Sequence, residues 1–263
     1  MRLVLFACLA VPLVAHADDD ALAPHPTDTR WWISGQINAI LQAQPGFHDP
    51  YEGDNSFHSD KHAALSIVGT VYAGFEITST TSIVIAGESA GGGGLSDALG
   101  LAGFTNLDVV RNPSLGPTPY VARAYIDQII PLSHAEAHER DPLHIQRTLA
   151  PRRIEIMAGK LATAETFDQN SVGTDSHMQF MNWSADNNGA WDYAADTRGY
   201  TLGAIIQYIE PLWAVRFGEM LMPTVANGID YDFDLPTRAA RTSRSRSTTA
   251  SRAIPASCAC SAF

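Results

Sequence analysis

Ala63-Ala64-Leu65-Ser66-Ile67-Val68-Gly69-Thr70-Val71-Tyr72-Ala73 alternates along the chain, and Ile33-Ser34-Gly35-Gln36-Ile37-Asn38-Ala39 does the same. Successive side chains of an extended backbone point to opposite faces. Ile33, Ile37, Leu65, Ile67 and Val71 therefore share one face, and Ser34, Gln36, Asn38, Ser66 and Thr70 share the other. The same period predicts strands at about 31–42, 62–75, 80–88, 120–129, 153–160, 199–209 and 213–221, with almost no helical stripe. Several strands with one apolar and one polar face predict an all-β chain. An antiparallel transmembrane β-barrel alternates in this way, with lipid outside and water inside.

The N-terminus carries an export signal. Arg2 supplies a charged start, Leu3 to Val14 an apolar stretch, and Ala15-His16-Ala17 a small-x-small cleavage site, so 1–17 reads as a signal peptide. A polar segment, 18–30, follows it. No later run approaches the roughly 18 apolar residues of a membrane-spanning helix. Between the cleavage site and residue 257 there is no cysteine, which excludes a disulfide scaffold, a thiol nucleophile and a cysteine-based zinc site there.

Charge divides the chain near residue 235. Residues 1–235 hold 12 basic and 28 acidic side chains. The tail, 236–263, holds Arg238, Arg241, Arg244, Arg246 and Arg252 and no acid. It reads as a disordered basic arm or as non-native sequence, without a strand-pairing partner. Export argues against a nucleic-acid partner.

The connections sort by length. Those at 43–61, 89–119 and 161–198 are long, whereas the turns near Ser79 and at Glu210-Pro211-Leu212 are tight. Outer-membrane barrels have short periplasmic turns and long extracellular loops, while a sandwich has no reason to sort its loops by side. The 130–152 connection breaks the pattern. Aromatic residues gather at strand ends: Trp31, Trp32, Phe75, Tyr120, Tyr200, Tyr208 and Trp213. They are placed for an interfacial girdle. On the polar face, the period points Arg123, Asp127, Arg153, Glu155 and Arg216 inward, where charge is tolerated in a wet lumen.

The long loops carry more specific blocks. These are Gly94-Leu95-Ser96-Asp97-Ala98-Leu99-Gly100-Leu101-Ala102-Gly103-Phe104, then Gly159-Lys160-Leu161 with Phe167-Asp168-Gln169-Asn170, then Phe180-Met181-Asn182-Trp183-Ser184 continuing through Asp192-Tyr193-Ala194-Ala195-Asp196-Thr197-Arg198-Gly199-Tyr200-Thr201. Together with the strand from Ala122-Arg123-Ala124-Tyr125, they resemble the OprB-type carbohydrate-selective porins of Gram-negative outer membranes. The resemblance runs from about Trp31 to Asp234.

It implies a monomeric porin-type barrel of about sixteen strands that passes sugars and similar small solutes by diffusion. Inward-folding loops would form the constriction. Arg123, Glu88, Asp127 and Arg216 are the pore-lining, substrate-contact positions it implies here. No catalytic residue, cofactor or metal is expected. Outer-membrane lipid, small sugars and the barrel-assembly machinery are the expected partners. The family continues for roughly as many residues again, so 31–235 reads as the N-terminal part: an open, partial barrel of about seven strands.

Two other functions fit parts of the sequence. Gly87-Glu88-Ser89-Ala90-Gly91 is a literal G-x-S-x-G, the nucleophile elbow of serine esterases on an α/β-hydrolase fold. The elbow needs a helix behind its serine, and Gly92-Gly93-Gly94 disfavours one. A β-sandwich sugar-binding module without transport would also alternate, and would require a second sheet on the apolar face. Among lesser motifs, Asp230-Tyr231-Asp232-Phe233-Asp234 lacks the glycine and final glutamate of a calcium loop. His134 and His138 could share a metal at helical spacing, with His144 nearby, but the sequence shows no clear third ligand. A polar turn is expected there.

Overall fold

The computed structural model describes residues 28–98, 116–169, 193–225, 228–233 and 249–251, together with Gln179, Phe180, Asn182 and Asp186. Ten strands are present among them: β1 (Trp31–Gln44), β2 (His62–Thr78), β3 (Thr81–Gly92), β4 (Tyr120–Pro131), β5 (Glu136–Ala137), β6 (Thr148–Leu149), β7 (Arg153–Leu161), β8 (Thr201–Glu210), β9 (Trp213–Met220) and β10 (Thr249–Ser251). Eight form one antiparallel sheet in the order β1-β2-β3-β4-β7-β8-β9-β10, and β5 and β6 pair separately. Each main-sheet strand pairs with its predecessor in that order. The fold is all-β and antiparallel, an open sheet among the described residues.

The register gives the two faces opposite chemistry. Outward positions carry Ile37, Leu41, Val71, Ile85, Val121, Ile126 and Phe217, all exposed. Along the seven long strands that face holds no Asp, Glu, Lys or Arg except Lys160, Glu210 and Glu219 at strand ends. Inward positions include Ser66, Thr70, Glu76, Ser82, Glu88, Arg123, Asp127, Arg153, Glu155 and Gln207, all buried. The facing expected from Ser34, Gln36, Asn38, Ser66, Thr70 and Arg123 against Ile37, Leu65, Ile67, Ala124 and Ile126 holds throughout. Apolar side chains on the exposed face and charges on the covered one invert the arrangement of a sandwich. No second sheet packs on the apolar face among the described residues.

Three expectations are corrected. A wet lumen implies no dense apolar cluster on the inward face, yet Trp32, Tyr72, Val84, Ala86, Ala122, Tyr125, Met157 and Ile205 pack there with Ile145, Ala162 and Tyr200. The last three come from connections that fold over the sheet, a packing that strand periodicity does not encode. Trp32, Tyr120 and Tyr200 accordingly point inward, whereas Trp31, Phe75, Tyr208 and Trp213 face out at the short-turn end. In the tail, Thr249–Ser251 pairs with Arg216, Val215 and Ala214, although no ladder partner was expected. An exposed strand edge offers unpaired N–H and C=O groups to any extended neighbour, whatever its side chains. The rest of 236–263 lies outside the described residues.

The 132–152 connection, irregular by length, folds back onto the inner face. The β5–β6 pair starts it, and Ile145 and Gln146 end almost wholly buried against the sheet. Gly74 makes room for it: a Cβ there would lie 2.6 Å from Ile145 Cδ1. Arg147 then clamps β2, its amide N–H donating to Glu76 Oε1 at 2.6 Å and its Nε to Oε2 at 2.7 Å.

Candidate functional site

A bulge in β4 assembles the first group. Ala86 pairs with Arg123 but Gly87 pairs with Val121, so Ala122 is an extra residue. An extra residue reverses the facing beyond it. Tyr120, Ala122 and Arg123 consequently all turn inward, although an odd spacing would ordinarily set Tyr120 and Arg123 on opposite faces.

Arg123 is buried and pairs with Glu165, whose helix α1 (Ala164–Phe167) lies in the long β7–β8 connection. Its guanidinium carbon sits 5.6 Å from the Tyr72 ring centre and 5.1 Å from that of Tyr200. Such contacts contribute roughly 0.5–2 kcal/mol each, more when dry. Beside it, the buried carboxylate of Glu88 accepts from Thr70 Oγ1 at 3.0 Å, Tyr200 OH at 3.1 Å and Tyr120 OH. Arg198 covers Tyr120 at 3.8 Å, and Lys160 approaches Asp196 at 3.6 Å. Arg123 and Glu88 thus belong to one cluster of alternating charge and aromatic rings at the long-loop end.

Asp127 lies elsewhere. It accepts from Gln146 Nε2, which also donates to Ser82 Oγ at 3.0 Å, beneath the folded-back 132–152 connection. Its near neighbours therefore do not include Arg123, whose carboxylate partner is Glu165. Arg216, half-buried on β9, donates to Gln207 Oε1 at 2.8 Å and to Gln169 Oε1 at 3.2 Å. Gln207 reaches Glu155 Oε1 at 3.2 Å, and Arg153 Nε donates to Glu155 Oε2 at 2.8 Å.

Sequence reasoning missed Glu165, Tyr72 and Gln146. Tyr72 shares the period of Ser66 and Thr70 and was legible. Glu165 and Gln146 sit in connections, where no period reports facing.

Ser89, the centre of the G-x-S-x-G, lies within β3, which continues to Gly92, and its Oγ donates to the Pro117 carbonyl at 2.8 Å. The nucleophile-elbow geometry is absent at Ser89. His138 meets Asp141 and His144 rather than His134. Burial holds His138 below its ordinary value. For His144, burial opposes the charge, but hydrogen bonds to Asp141 and Glu155 outweigh it and raise the ring to about 10.

No family model matches this chain, and no curated relative matches it. Among solved structures it is similar to the high-pH structure of OprB from Pseudomonas putida, at 14% identity and a TM-score of 0.47. The match covers 76% of this chain and 43% of that one, so the chain spans less than half the length of that protein.

Proposed function

We propose that this chain forms part of the wall of an outer-membrane porin that passes sugars and similar small hydrophilic solutes by diffusion. The observation that carries the reading is the chemistry of the sheet: an apolar outer face charged only near strand ends and an inner face bearing Glu76, Glu88, Arg123, Asp127, Arg153, Glu155 and Arg216. Lipid is the solvent that suits the first face, and a polar lumen suits the second. The sorting of long connections to one end adds support. Of the loop blocks that resemble the carbohydrate-selective porins, 99–104, 170 and most of 180–192 lie outside the described residues.

Transport of this kind needs no covalent step. Selectivity follows from width, hydrogen-bonding groups and field at the narrowest point. The Arg123, Glu88 and tyrosine cluster supplies donors, acceptors and flat aromatic faces within one patch, which suits polyhydroxylated solutes more than apolar ones of equal size. In a barrel of full length bearing this segment, Arg123→Ala lowers sugar affinity at least about ten-fold, the loss of one charged hydrogen bond of roughly 1.5–3 kcal/mol, and raises small-ion conductance. Planar-bilayer conductance with sugar titration measures both. Unchanged sugar block would make Arg123 a wall residue that only pairs Glu165.

A further inference from the structure

We propose that His138, Asp141 and His144 bind a single divalent transition-metal ion of the zinc type, held within the connection that covers the short-turn end of the sheet. One ligand atom from each residue lies within 4.8 Å of those of the other two. His138 Nε2 and His144 Nδ1 are each 3.7 Å from the same oxygen, Asp141 Oδ2. Zinc bonds of about 2.0–2.1 Å imply ligand-to-ligand edges of roughly 3.3 Å. Both histidine–aspartate edges are therefore a few tenths of an ångström from that geometry.

The supporting contacts orient the three donors. Asp141 Oδ1 accepts the backbone N–H groups of Leu143 at 2.7 Å and His144 at 2.8 Å, leaving Oδ2 turned to the imidazoles. The far nitrogen of His144, Nε2, lies 3.3 Å from Glu155 Oε1, and Glu155 is itself fixed by Arg153 and Gln207. A metal-ligating histidine characteristically gives its second nitrogen to a carboxylate in this way. His138 Nε2 is buried and has no hydrogen-bond partner, an orphaned acceptor that a cation satisfies. The two rings meet edge to face, at 89° and 5.9 Å. All three side chains keep some exposure, so an ion can enter and water can complete its shell.

Two imidazoles and one carboxylate favour zinc, nickel, cobalt or copper over calcium or magnesium. The ion takes the place of the proton on His144 and ties residues 138–144, through Glu155, to β7. This inference stands whether or not the chain transports sugars.

Cobalt titration of the full 263-residue chain, refolded from its aggregates into detergent, tests it, with the β-sheet circular dichroism spectrum as the folding control. The expected result is one Co²⁺ per chain with visible absorption bands, displaced by Zn²⁺. His138→Gln and Asp141→Asn each weaken uptake at least about ten-fold, and His134→Gln, on an exposed neighbour, leaves it unchanged. His138→Gln alters a ring that is 24% exposed and carries the test if Asp141→Asn disturbs the turn. Uptake unaffected by His138→Gln, or no uptake by a chain with the β-sheet spectrum, overturns the proposal.

Discussion

Ile145 of the β4–β7 connection lies directly over Gly74 of β2, close enough that a Cβ at Gly74 would come within 3.3 Å of three Ile145 carbons. This contact seats a segment that chain length alone would leave as a surface loop. The inner face of the sheet is consequently part polar surface and part packed interior.

Gly74→Ala therefore pushes Ile145 off its seat. Overpacking of this kind costs about 1–3 kcal/mol. Ile145→Ala removes the same contact from the other side, at about 2–5 kcal/mol. Limited proteolysis within 132–152 should accelerate in either variant. The double variant should be less affected than the sum of the two, because the second change relieves the clash made by the first. Additive effects would show that Gly74 and Ile145 do not couple.

The facing of adjacent tryptophans is directly measurable. Trp31 is 44% exposed on the outer face and pairs with Phe75, whereas Trp32 is 3% exposed and sits 6.4 Å from the Tyr72 ring. In a barrel of full length bearing this segment, placed in membranes of brominated lipid, a variant retaining only Trp31 or only Trp213 should be strongly quenched, and one retaining only Trp32 weakly. Equal quenching of Trp31 and Trp32 would contradict the assignment of faces.

Acid should loosen the β1–β2 connection before the sheet. Hydrogen bonds from the Ser59 hydroxyl and Ser59 N–H hold Glu52 below its ordinary value of 4.5. A carboxylate depressed in the folded state stabilises it fully above that ordinary value, and the contribution is lost as pH falls through the lower folded value. The Ser59 amide resonance should shift over that acidic window in the native chain. In Glu52→Gln it should already stand near its acid position and stay flat.

The sheet remains open, with the outer edge of β1 unpaired among the described residues. Unpaired backbone groups in hydrocarbon cost several kcal/mol each, and an exposed edge invites pairing with other chains. Expressed alone, the 263-residue chain should aggregate or be degraded rather than insert. Heat-modifiable migration on a denaturing gel, the behaviour of a closed barrel, would contradict this.

The alternation at 33–39, 63–73 and 122–127 determined by itself that the chain is built of strands, that Leu65 and Ile67 face away from Ser66 and Thr70, and that Arg123 and Asp127 share one face. A period of two is a local property of extended backbone, so it survives without knowledge of any contact. Tertiary structure alone decided what those inward groups meet. The bulge at Ala122 turned Tyr120 to the side of Arg123, α1 delivered Glu165 to the guanidinium, and the fold-back of 132–152 set Gln146 on Asp127 and joined His138 to Asp141 and His144. Each of these depends on a connection whose path is set by packing against distant strands, and no periodicity along the chain records such a path.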